Sequence, residues 1–137
     1  MRISVVHHNP KRIDRRFTDI ALSVVCHLQA TCDWAANIKD DITIHYTGCP
    51  DNAYGAYRHD RDGHHIYLRP KKRHPLGMAF TIAHELRHAW QYETGRLSTM
   101  GGYPWAWNGQ ELCDGSDNDP SERDADAAAR AWIKAAW

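Results

Sequence analysis

The stretch Thr81-Ile82-Ala83-His84-Glu85-Leu86-Arg87-His88-Ala89-Trp90-Gln91 decides how the rest of the chain is read. Leu76, Phe80, Ala83 and Trp90 can face one side of a core, with Met78, Ile82, Leu86 and Ala89 beside them. With Pro75 suited to the first turn and Gly95 a natural stop, the pattern predicts a helix over 76–93. On that helix His84 and His88 are one turn apart on the same face, their Cβ atoms roughly 6 Å apart. Two imidazoles so placed can converge on one zinc ion at about 2.1 Å each. Glu85 points about 100° around the helix from His84. It then lies near such an ion without binding it, where a general base for an activated water belongs. The plainer alternative is a solvated helix face that happens to carry two histidines and a glutamate.

A catalytic zinc takes a third protein ligand and keeps a fourth position open. Towards the C-terminus, Asp119-Pro120-Ser121-Glu122 reads as the start of a last helix, with an N-cap candidate and proline at the first helical position. Ala125, Ala128, Ala129, Trp132, Ile133 and Ala136 are available to pack it. Glu122 and Asp126 share one of its faces. Glu122 is the leading candidate for the third ligand, and Asp126 the candidate to accept a hydrogen bond from a ligating histidine and fix its tautomer. Two alternatives stay open: Asp126 as the ligand itself, and Glu122 serving only to cap its helix. Asp124 points to a different face and is a weaker rival.

Upstream, residues 3–7 are expected to form a short strand. Apolar residues at 13, 17, 20, 21, 24, 25 and 28 predict a helix over 13–30. The alternation at 42–46 predicts a half-buried strand. The runs 54–58 and 64–69 flank Asp62-Gly63 and read as a hairpin that Pro70 ends. Residues 95–119, rich in Gly, Asp, Asn and Trp, are expected to be an irregular loop. Trp105 and Trp107 within it are read as packing that loop onto the core, or else as lining a cleft. Neither an internal repeat nor an interdomain linker is visible, so the order helix, strands, helix, helix implies one α+β domain over residues 1–137.

Composition narrows the function. The 137 residues are 42% hydrophobic and 25% charged, ordinary for a globular domain. Lys plus Arg and Asp plus Glu number 17 each, so net charge favours neither a nucleic-acid binder nor a membrane binder. No apolar run approaches the roughly 20 residues of a membrane-crossing helix, and the N-terminus does not read as a signal peptide. A cytoplasmic protein is therefore expected, with Cys26, Cys32, Cys49 and Cys113 as free thiols. These cysteines contain no Cys-x-x-Cys pair, which argues against a four-cysteine zinc site. Ten histidines are many for this length, and only position can separate metal ligands from surface residues.

The quoted stretch, followed by Pro120-Ser121-Glu122-Arg123-Asp124-Ala125-Asp126, resembles small gluzincin-type metallopeptidases. These include phage- and bacterial-encoded minimal zincins and the broader group of stress- and repressor-linked proteases. The resemblance covers roughly residues 42–137. It implies Zn2+ held by His84, His88 and Glu122, Glu85 as the base and Asp126 as the partner of a ligand. It also implies a zincin-like fold: a small twisted, mostly antiparallel sheet with an N-terminal helix, an active-site helix and a C-terminal glutamate helix. The strand at 64–69 would be the sheet edge nearest the cleft. No histidine follows His88 at metzincin spacing. The implied activity is hydrolysis of a peptide bond, with a protein or peptide as substrate. Tyr103, between the two motifs, is a candidate oxyanion donor, although a packing or surface tyrosine is the plainer reading.

Two other functions compete. One is a non-catalytic binding or regulatory module that keeps the fold and the metal; the intact Glu85 argues against it, since metal binding does not need that carboxylate. The other is a DNA-associated protease drawn to nucleic acid by Arg58, Arg61, Arg69, Lys71, Lys72 and Arg73. A solvated hairpin is the favoured reading of that basic segment. The run Asp114-Gly115-Ser116-Asp117-Asn118-Asp119 does not match an EF-hand and is read as a loop leading into a helix cap.

Overall fold

The computed structural model describes residues 1–8, 15–47, 49, 53–69, 74–112 and 119–136. Strand β1 (Ile3–His7) leads into helix α1 (Arg15–Thr31), the short helix α2 (Asp33–Ala36) and strand β2 (Ile42–Tyr46). The hairpin of β3 (Gly55–Asp60) and β4 (Gly63–Leu68) precedes the long helix α3 (Pro75–Glu93). Strands β5 (Leu97–Met100), β6 (Tyr103–Trp107) and β7 (Gln110–Glu111) then lead to helix α4 (Pro120–Ala136). The class is α+β.

The main sheet has the order β1-β2-β4-β3. It corrects the expectation of a mostly antiparallel sheet. β1 pairs parallel with β2, and β2 parallel with β4; only β3 runs antiparallel, in its hairpin with β4. For β1 and β2 the cause is α1, a crossover long enough to return the chain in the same direction. The same order moves the sheet edge. β4 lies inside, between β2 and β3, and β3 is the edge strand rather than the segment at 64–69.

One face of this sheet meets the helices. Phe17, Ala21, Val25 and Leu28 of α1 pack with Ile42, Ile44, Ile66 and Leu68 of the sheet and Ile82, Ala83, Leu86 and Ala89 of α3. The buried stripe of α3 begins at Ala79; Leu76 is exposed, and Phe80 and Trp90 are only partly buried at the core's margin. Ala129 and Trp132 bring α4 onto the same core, and the Trp132 indole donates to His27 Nδ1 at 3.0 Å.

Residues 97–111, expected to be a loop, form a second antiparallel sheet in the order β5-β6-β7. Its turns explain it. Gly101 and Gly102 have φ of 59° and 90°, Asn108 and Gly109 49° and 83°. Positive φ at both central residues is the turn that matches strand twist, and Gly-Gly and Asn-Gly are its preferred sequences. Trp107 packs against the core while Trp105 is exposed.

Cys26 and Cys32 are free thiols; Cys113 lies outside the described residues, as do Lys71, Lys72, Arg73 and the run 114–118. Among the described residues no helix is long and apolar enough to cross a membrane.

Candidate metal centre

Helix spacing sets the site. His84 and His88 stand one turn apart on α3 with ring centroids 5.0 Å apart, nearly perpendicular at 82°. Their Nε2 atoms meet opposite oxygens of a single carboxylate on α4: His84 at 2.7 Å from Glu122 Oε2 and His88 at 3.1 Å from Glu122 Oε1. One ligand atom from each of these three residues falls within 4.8 Å of the others.

The other ring nitrogens are held as well. His84 Nδ1 lies 2.7 Å from Asp126 Oδ1, and His88 Nδ1 lies 2.8 Å from Gln91 Oε1. Gln91 has no choice of orientation, because its amide nitrogen donates to Ser121 O and to Asp124 Oδ2, both at 2.9 Å. Each imidazole therefore faces an acceptor on both nitrogens. Without a metal, ionised carboxylates are all satisfied when both rings carry two protons, since a neutral ring has only one N–H to donate. A divalent cation between the Nε2 atoms would replace two protons and leave the Nδ1–H groups donating as they do now, the arrangement that orients metal-bound histidines. The donor set, two imidazoles and a carboxylate, suits zinc with one position open.

The electrostatics agree. Burial, the largest single effect on His84, disfavours its charge, yet the hydrogen bond to Glu122 and the charges of Glu85, Glu122 and Asp126 outweigh it and raise the pKa to about 9. His88 is raised by the same opposition of burial and carboxylates. Burial would raise Glu122, but hydrogen bonds and charge from both histidines hold it well below the usual carboxylate range. Glu85 moves the other way: burial lifts it above the ordinary value against the pull of His88 and His84. A base destined to accept a proton near neutral pH profits from that direction.

Glu85 has its own cradle. Its side chain lies over Gly55, the first residue of edge strand β3; a Cβ there would come within 3.2 Å of Glu85 Cγ and Oε1 and within 2.6 Å of Thr81 Cγ2. The cap of α4 falls to Asp119, whose Oδ1 accepts from the Ser121 backbone N–H at 2.8 Å and from its hydroxyl at 2.7 Å. Glu122 is thereby released from capping and turned towards α3. Asp124 pairs with Arg87 at 2.8 and 3.2 Å, and Arg87 stacks 3.7 Å over the Trp90 ring, so α4 is clamped to α3 beside the site.

Of the residues expected from sequence, His84, Glu85, His88, Glu122 and Asp126 are brought together. Tyr103 begins β6 opposite Met100, is 45% exposed and shares no described hydrogen bond or ring contact with that group. In the basic segment, Arg58 is paired with Asp60 at 2.9 Å. Gln91 and Asp124 were missed as supports, although Gln91 sits three residues after His88, where helix neighbours meet. Comparison with known proteins finds no matching family model, no matching curated protein and no matching solved structure, so the site's own geometry carries the reading.

Proposed function

We propose that the chain is a zinc-dependent peptidase that hydrolyses peptide bonds with Glu85 as general base. The observation that carries the reading is the pair of imidazoles whose Nε2 atoms share one carboxylate while both Nδ1 atoms are held by separate acceptors. His84, His88 and Glu122 would hold a zinc ion, which would supply Lewis acidity and lower the pKa of a bound water towards about 7. Glu85, adjacent to the ligands but outside the set, takes the proton of the attacking water and returns it to the leaving amine. Asp126 and Gln91 hold the ligand rings in one tautomer and one orientation.

The substrate reading follows from the sheet edge. Arg69 N–H donates to Tyr54 O, so the even-numbered residues of β3 turn their backbone groups to β4 and the odd-numbered ones outward. His59 N–H is taken by Gly102 O at 2.8 Å, while Gly55 and Tyr57 face the edge beside Glu85, where no described strand pairs. An extended peptide can add there as a further strand. The zincin fold belongs to this proposal, resting on the motif and on the order of active helix and glutamate helix. The test is zinc content after zinc loading and dialysis. His84→Ala, His88→Ala and Glu122→Ala should each hold one equivalent less than the parent; if all three keep the parent's content, the reading fails.

A further inference from the structure

A second convergence of ligand atoms lies at the C-terminal end of α3, and neither the two motifs nor the proposed hydrolysis uses it. Asp40 from the loop before β2, His64 from β4 and Glu93 from the last turn of α3 each place a ligand atom within 4.8 Å of the other two. His64 is fully buried, and its Nε2 faces Glu93 Oε2. Its Nδ1 lies 2.7 Å from the Tyr57 hydroxyl, so the ring's orientation is held from behind. Glu93 is fixed as well: Oε1 accepts from the Lys39 backbone N–H at 2.8 Å and Oε2 from that of Asp40 at 3.1 Å. Oε1 keeps a second lone pair, while Oε2 already faces both the Asp40 N–H and His64 Nε2. A fourth side chain turns to the same place, His59, with Nε2 3.5 Å from Asp40 Oδ2 and its ring stacked on Tyr92 at 4.0 Å.

A plain buried ion pair between His64 and Glu93 would need none of this surrounding. Asp40 and Glu93 bring two carboxylates to the same ring. Asp40 and His59 also line a polar cleft of about 320 Å³, together with Asp41, Asp60, Asp62, Lys39 and Arg61. From the geometry we propose a second divalent-cation site at Asp40, His64 and Glu93, with His59 as an available fourth ligand. Imidazole with carboxylates suits a first-row transition ion such as zinc, whereas calcium and magnesium favour oxygen alone. The ion would tie the end of α3 to β4 and to the loop before β2. Because α3 also carries His84 and His88, the second ion would brace the helix that bears the first.

The experiment is zinc stoichiometry and affinity for metal-stripped full-length chain, by calorimetric titration with Zn2+, with Ca2+ as the control. The parent should bind two equivalents of zinc, Glu122→Ala one and Asp40→Asn one. Asp40 is 53% exposed at its side chain, so that variant keeps the fold. Tyr57→Phe should weaken only the Asp40-sensitive equivalent, by about 10–100-fold. A parent that binds one equivalent, lost in Glu122→Ala and unchanged in Asp40→Asn, would overturn the second site and leave the first standing. One equivalent lost in Asp40→Asn and kept in Glu122→Ala would do the reverse.

Discussion

The two polar groups on α3 are built on different principles. At mid-helix, one turn of backbone delivers two imidazoles, and a single further helix delivers the carboxylate, so most of the geometry is local. At the helix end, a loop, a strand and a helix must dock before Asp40, His64 and Glu93 meet. The mid-helix rings face acceptors on both nitrogens, whereas the buried ring at the helix end faces one carboxylate and one hydroxyl. The first group thus sets carboxylate or amide oxygens against four ring nitrogens, and the second sets a carboxylate and a hydroxyl against two. Local construction makes the first group a matter of spacing; assembled construction makes the second depend on tertiary packing.

Removing the supports of the first group should break that contrast most strongly. Gln91→Met and Asp126→Ala each leave the three ligands in place but free one ring. Zinc affinity should fall about 10–100-fold in each, and the Asp40-sensitive equivalent should not change. An equal loss in both equivalents, read by titration, would mean that the two groups are one cooperative unit.

A smaller effect is expected at Gly55. Alanine there presses on Thr81 and Glu85 but on no ligand. Peptide hydrolysis should fall on the order of tenfold through displacement of the base, with zinc content constant. Loss of zinc in Gly55→Ala would show that Glu85 and the ligands are not separable.

The pH response sharpens the contrast between metal-free and zinc-loaded protein. His84 is raised from 6.5 to about 9 in the folded chain, so its stabilising contribution is complete below pH 6.5 and is lost as pH rises towards 9. Glu122 is lowered from 4.5, so its contribution is present above that pH and is lost on acidification. The metal-free chain should therefore gain most from this site between about pH 4.5 and 6.5. Zinc must displace ring protons, so zinc affinity should climb through the range in which the metal-free contribution fades. Thermal melts with and without zinc across pH 5–9 should separate with rising pH; melts that converge would contradict the proton count. The smallest effect is expected from Tyr103→Phe, less than about twofold in hydrolysis. An oxyanion donor would cost about 10²–10³, so a loss of that size would return Tyr103 to the site.

The contrast also explains what could be read beforehand. α1, α3 and α4 were visible because an apolar stripe at helical spacing is a local signal, joined in α3 and α4 by a proline at the start. The His84, Glu85 and His88 arrangement is local in the same sense, and Glu122 with Asp126 repeats the four-residue spacing one helix later. The parallel pairing of β1 with β2 was missed, although a helix between two strands is the signal for it; that of β2 with β4, which have only β3 between them, carries no such signal. β5 to β7 were missed because Gly101-Gly102 and Asn108-Gly109 sit among Trp and Asp residues and read as loop composition rather than as two hairpin turns. The Asp40, His64 and Glu93 group is spread over a sequence separation of 53 and has no spacing to recognise. Only docking α3 against β4 creates it.

The most direct test of the central claim is cleavage of a diverse peptide library by zinc-loaded parent and Glu85→Gln, read by mass spectrometry with zinc content measured on the same samples. The account predicts that both proteins hold the same zinc and that only the parent cleaves, with Glu85→Gln slower by about 10²–10⁴. Equal cleavage by both, or none by a parent carrying zinc on His84, His88 and Glu122, would contradict it.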